Sequence, residues 1–102
     1  MVEELRSQLP QVEELCRKYG VVHLDVFGSA ARGDFDPARS DFDFLVKFAQ
    51  RGDLGPSRQY LGLLHGLEDL FGRDIHLAED FPGQKASFLE RIEPDRKQLY
   101  AA

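Results

Sequence analysis

Hydrophobic positions near the start of the chain recur at three- and four-residue steps: Val2, Leu5, Leu9, Val12, Leu15, Cys16 and Tyr19, with charged residues between them. That spacing predicts an amphipathic helix. Proline is accommodated in a first turn, so Pro10 places the main helix from about Leu9 to Tyr19, capped near Ser7, with residues 2 to 6 as a separate turn. Gly20 stops it. Val21 to Phe27 is a β-branched and apolar run bounded by Gly20 and Gly28, and reads as a buried first strand. Gly28-Ser29-Ala30-Ala31-Arg32-Gly33 reads as one short helical turn between two glycines, followed by a loop containing Pro37.

From Ser40 to Phe48 the pattern changes to period two. Asp41, Asp43 and Leu45 fall on one side, and Phe42, Phe44, Val46 and Phe48 on the other, as in a strand with one strongly apolar face. Gln50 to Pro56 is a Gly/Asp/Pro loop. Leu61, Leu64, Leu67, Leu70 and Phe71 then return to helical spacing up to Gly72. Arg73 to Ala78 alternates again, Ile75 and Leu77 against Asp74 and His76, and predicts a third strand. Phe88, Leu89 and Ile92 line a further helix that Pro94 interrupts, with Leu99 and Tyr100 in a last turn. The resulting order predicts an α+β fold: a small mixed sheet of about three strands with helices packed on one face.

Size and charge narrow the picture. A chain of 102 residues supports one core, so residues 1–102 are expected to form a single domain. The net charge of −5 argues against a surface that coats a nucleic acid polymer. Cys16 is the only cysteine, which excludes an internal disulfide and any CxxC zinc knuckle and fits a reducing interior. The acidic start Met1-Val2-Glu3-Glu4 is unlike a secretory signal, and no segment approaches the length of a membrane span, so a cytoplasmic protein with no membrane partner is expected.

The candidate chemistry lies in Phe27-Gly28-Ser29 and, after a gap, Asp41-Phe42-Asp43-Phe44. Gly28 ends a strand without a Cβ, so a phosphate can approach the backbone, and Ser29 opens a helical turn whose N–H groups and hydroxyl suit anionic oxygens. Asp41 and Asp43, two apart on a strand, project to one face at roughly 6.5–7 Å, a spacing suited to hard divalent cations. Two carboxylates facing a triphosphate would repel it, so this reading requires Mg²⁺. Arg32 either steadies phosphates or pairs with Asp34 or Asp36. Phe35 either folds back on the core or, the preferred reading, is a contact for a partner. Cys16, His23 and His65 are read as packing or surface positions without chemistry.

Val26-Phe27-Gly28-Ser29-Ala30-Ala31-Arg32-Gly33 followed by Ser40-Asp41-Phe42-Asp43-Phe44-Leu45-Val46 resembles the minimal nucleotidyltransferases of the polymerase-β superfamily, the antitoxins of HEPN/MNT toxin–antitoxin pairs. The resemblance implies a polymerase-β-like core. It implies that Gly28 and Ser29 hold the phosphates of ATP, that Asp41 and Asp43 bind Mg²⁺, and that AMP passes to a hydroxyl, such as a tyrosine of a HEPN toxin partner. The family pattern has a third aspartate where this chain has His76. Histidine can serve as a base or a metal ligand but removes one negative charge; Asp74, two residues earlier, is the alternative. A degenerate binding module that neutralises a HEPN partner by occlusion is the rival reading. A small-molecule transferase, which would need an acceptor pocket from a homodimer, ranks third.

Overall fold

The structure, a computed structural model, describes residues 1–34 and 41–102. Phe35, Asp36, Pro37 and Ser40 lie outside the described residues, so the expectations for Phe35 and for an Arg32–Asp36 pair are not addressed. The chain runs through α1 (Glu3–Ser7), α2 (Leu9–Lys18), β1 (Val21–Phe27), α3 (Ser29–Arg32), β2 (Phe42–Phe48), α4 (Pro56–Phe71), β3 (Ile75–Glu79), α5 (Ala86–Ile92) and β4 (Lys97–Ala101). Pro10 sits in the first turn of α2, where no backbone donor is needed. Ser7 does not cap α2: it closes α1, its hydroxyl donating to the Glu4 carbonyl at 3.0 Å, and Gln8 occupies the N-cap. Gly72 ends α4 in the left-handed conformation at φ 63°, which a Cβ would strain.

The strands form one mixed sheet in the order β3-β2-β1-β4. β1 is antiparallel to both β2 and β4, and α4 carries the chain from β2 to the parallel β3. The sheet has four strands rather than about three. Residues 97–101, read from sequence as a turn, are extended because they hydrogen-bond along the free edge of β1, with Leu24 opposite Tyr100 and Val26 opposite Lys97. Only that tertiary pairing distinguishes a five-residue exposed strand from a turn.

One face of the sheet carries the core. Leu24 and Val26 of β1, Phe42, Phe44 and Val46 of β2, and Ile75 and Leu77 of β3 pack with Leu5, Val12, Cys16, Leu63 and Leu67 of the helices. Phe42 lies edge-on to Phe71 at 4.9 Å; burying such a ring contributes about 1.5–3 kcal/mol. α2 and α4 approach closely because Gly62 and Gly66 leave room for the side chains of Tyr19 and Leu15, respectively. By strand alternation the other face presents Phe27, Asp25, Asp43, Leu45, His76 and Ala78. In addition to the helical layer, the short α5 lies over part of this second face, with Phe88 edge-on to Phe27 at 5.8 Å. Among the described residues no helix is long and apolar enough to cross a membrane.

Candidate functional site

Phe27, Asp43 and His76 form one row across β1, β2 and β3, because Phe27 pairs with Asp43 and Asp43 with His76. Their side chains emerge on the face opposite the core. Asp41 precedes β2 by one residue and shares the parity of Asp43. The His76 ring lies between the two carboxylates, Nε2 at 3.2 Å from Asp41 Oδ2 and Nδ1 at 3.0 Å from Asp43 Oδ1. Asp74 is exposed, and among the described residues it is His76 that contacts both carboxylates.

The turn after β1 closes against the same row. Gly28 adopts φ 72° and ψ −155°, a conformation that is essentially restricted to glycine. A Cβ there would stand 2.6 Å from Asp43 Oδ2, so the missing side chain is what seats this carboxylate against the backbone. Ser29 is the first residue of α3, whose turn is closed by Ala31 and Arg32 N–H donating to the Gly28 carbonyl and Gly33 N–H to that of Ser29. The first N–H groups of such a turn have no acceptor within the helix.

Electrostatics follow from this packing. Burial pushes the Asp43 carboxyl above the usual carboxylate range, and the neighbouring Asp41 charge adds to the effect, while His76 and Arg32 oppose it. Arg32 points Nε at Asp34 (3.3 Å) and a terminal nitrogen at Asp95 (2.8 Å), so of the two alternatives for Arg32 the ion pair with Asp34 is present. Asp95, 63 positions away, was invisible to local pattern. Behind the row, the Asp25 carboxylate is 2% exposed and is met by the Arg96 guanidinium, a pairing the alternation of β1 did not announce. His23 Nε2 lies 3.1 Å from both Asp25 Oδ1 and Gln98 Oε1, with hydrogen-bond geometry only to Gln98. His65 pairs with Glu68 at 2.9 Å. Both histidines therefore do meet acids, as pairs. Cys16 is fully buried in the core, and burial pushes its thiol up to about 12.

Among the described residues no three carboxylate, imidazole or thiol groups surround a common point as a finished metal cage. The donor set nevertheless fits a hard divalent cation at Asp41 and Asp43. Both offer carboxylate oxygens on one face, Gly28 leaves the Asp43 carboxylate its seat, and a cation would relieve the burden of two neighbouring negative charges. His76 stands where it is able to add a nitrogen donor.

The paired aspartates beside a strand–glycine–serine–helix turn stand on the open face of an α+β sheet, and comparison with known proteins gives the family of that fold. The family model described as a nucleotidyltransferase domain matches residues 11–100. A solved structure described as a minimal nucleotidyltransferase is 30% identical, with TM-score 0.76, over 93% of this chain and 92% of its own. A toxin–antitoxin crystal structure with AMP-PNP is 20% identical, with TM-score 0.70, over 92% of this chain and 73% of its own. A mutant of the toxin–antitoxin MntA-HpeT is 18% identical, with TM-score 0.70, over the same shares of each chain, and like the AMP-PNP structure it speaks to the fold. No curated protein matches the sequence. The chain belongs to the nucleotidyltransferase domain family, with the minimal nucleotidyltransferases as its group.

Proposed function

We propose that this chain transfers AMP from ATP to a hydroxyl, a tyrosine of a HEPN toxin partner, and so acts as an antitoxin. The observation that carries the reading is the seating of Asp43 against Gly28, which joins the carboxylate pair to the phosphate-binding turn in one site. In this reading the N–H groups of Ser29 and its neighbour, with the Ser29 hydroxyl, hold the β- and γ-phosphates, and Arg32 exchanges a carboxylate for a phosphate oxygen. Asp41 and Asp43 hold Mg²⁺, which when bound supplies charge neutralisation and polarises the α-phosphate. His76 accepts the proton of the attacking hydroxyl at Nε2, which must first leave the Asp41 carboxylate it faces at 3.2 Å, and the Asp43 carboxylate at Nδ1, 3.0 Å away, stabilises the imidazolium so formed. The hydroxyl oxygen bonds to the α-phosphorus, the bond from the α-phosphorus to the β-bridging oxygen breaks, and pyrophosphate leaves.

Support comes from family membership and from neighbours whose descriptions name toxin–antitoxin pairs and AMP-PNP. The test is incubation of the chain with a co-expressed HEPN partner, ATP and Mg²⁺, followed by peptide mass spectrometry. One AMP on a partner tyrosine, absent with Asp41→Asn or Asp43→Asn, is the expected result. Occlusion without chemistry is favoured by the His76 ring lying between the aspartates; in that case Asp41→Asn protects against the toxin as well as wild type and no AMP is found.

A further inference from the structure

A concavity of about 570 Å³ opens between α5 and β3, lined by Ala78, Gln84, Lys85, Ser87, Phe88 and Arg91. Its position is set by sheet register. Ala78 pairs with Leu45, one row behind the Asp43–His76 pair on the same face, so the floor of the concavity lies roughly 6.5–7 Å from the row that carries the candidate chemistry. Its inner wall is tied to the phosphate-binding turn as well, because the Phe88 ring rests on Phe27, the residue before Gly28.

The lining differs from the rest of this acidic chain. The Arg91 guanidinium carbon lies 5.5 Å from the centroid of the Phe88 ring, so a guanidinium and an aryl group border the same opening, and Lys85 and Arg91 bring two positive charges. The Gln84 amide is engaged on both sides, donating to the Glu79 carbonyl and accepting from the Lys85 N–H, each at 2.9–3.0 Å, so it acts as a fixed wall. Guanidinium and aryl planes stack on nucleobases without hydrogen-bond readout.

We propose that this concavity takes the base and ribose of the nucleoside triphosphate, with Phe88 and Arg91 as its stacking surface and the phosphates running forward to Gly28 and Ser29. The proposal rests on the nucleotidyltransferase reading above. It also accounts for a helix that the family of local patterns left without a role: α5 shields one part of the second sheet face and leaves a walled opening beside the acids.

The experiment compares two ligands that share phosphates and differ in the base. Affinities of ATP and of inorganic tripolyphosphate, each with Mg²⁺, are measured by titration calorimetry on wild type, Arg91→Lys and Phe88→Leu. Arg91→Lys keeps the charge and loses the planar group, and, being on the surface, it leaves the fold intact independently of the packing that Phe88→Leu removes from Phe27. Wild type is expected to bind ATP more tightly than tripolyphosphate. Each variant is expected to weaken ATP about tenfold and to leave tripolyphosphate within twofold. Equal affinity of wild type for the two ligands, or variants that weaken both alike or neither, overturns the base site while leaving phosphate binding at Gly28 and Ser29 standing. Failure of wild type to bind either ligand overturns the nucleotide reading itself, and the base site with it.

Discussion

Gly28→Ala tests the geometry that joins the two halves of the site. At φ 72° and ψ −155° an alanine pays a backbone strain of about 1–3 kcal/mol. The new Cβ would begin 2.6 Å from Asp43 Oδ2, and the carboxylate must retreat by roughly 0.8 Å to reach ordinary contact at 3.4 Å. Retreat disturbs the hydrogen bond that Asp43 shares with His76 Nδ1 at 3.0 Å, worth about 0.5–1.5 kcal/mol. The sum is roughly 3 kcal/mol. At about 4–8 °C per kcal/mol for a domain of this size, the melting temperature should fall by roughly 12–24 °C. Gly33→Ala is the control: its φ is 96° but nothing among the described residues stands within 4 Å, so it carries backbone strain alone, about 1–2 kcal/mol. Urea denaturation followed by far-UV circular dichroism reads both. In the Asp43→Ala background the contact is gone, and Gly28→Ala should then cost about 1 kcal/mol less. If Gly28→Ala destabilises no more than Gly33→Ala and shows no coupling to Asp43, the close approach is wrong and the two motifs are not one site.

Asp43 titrates above the ordinary carboxylate value of 3.8, so the folded state holds its proton longer than the unfolded chain, and its contribution to stability declines as pH rises through that interval. Carbon-13 NMR titration should show Asp41→Asn lowering the Asp43 pKa and His76→Ala raising it; the opposite signs would refute the assignment of causes. Arg96→Met leaves the buried Asp25 carboxylate without its guanidinium and should cost about 3 kcal/mol in chemical denaturation, most of it recovered in Arg96→Met with Asp25→Leu; a loss below about 1 kcal/mol contradicts the buried pair. Cys16, pushed to about 12 in the core, should resist iodoacetamide at mildly alkaline pH until guanidinium unfolds the chain, and rapid labelling of the native protein would show that the α2 face is open.

The sequence alone determined the elements whose signals are local. Period-two alternation in residues 42–48 places Asp43 opposite to Phe42 and Phe44 whatever the strand pairs with, and helical spacing from Leu61 to Phe71 with a glycine stop defines α4. The same locality explains why Gly28, Ser29, Asp41 and Asp43 were legible as candidates, since strand ends, turns and face parity are properties of neighbours in the chain; His76 became a candidate only through the family resemblance, with Asp74 as its alternative. Tertiary structure decided what depends on partners distant in sequence. β4 exists because β1 offers it a free edge, and five residues with two hydrophobes carry no periodicity strong enough to announce it. The parallel pairing of β2 with β3, which sets His76 rather than Asp74 against the carboxylates, follows from register across a helical crossover that no local pattern encodes. The burial that raises the Asp43 pKa, the Arg32–Asp95 and Arg96–Asp25 pairs, and the opening between α5 and β3 all arise where separate elements meet in space, since desolvation, charge pairing and cavity shape are properties of the folded surface and not of the chain order.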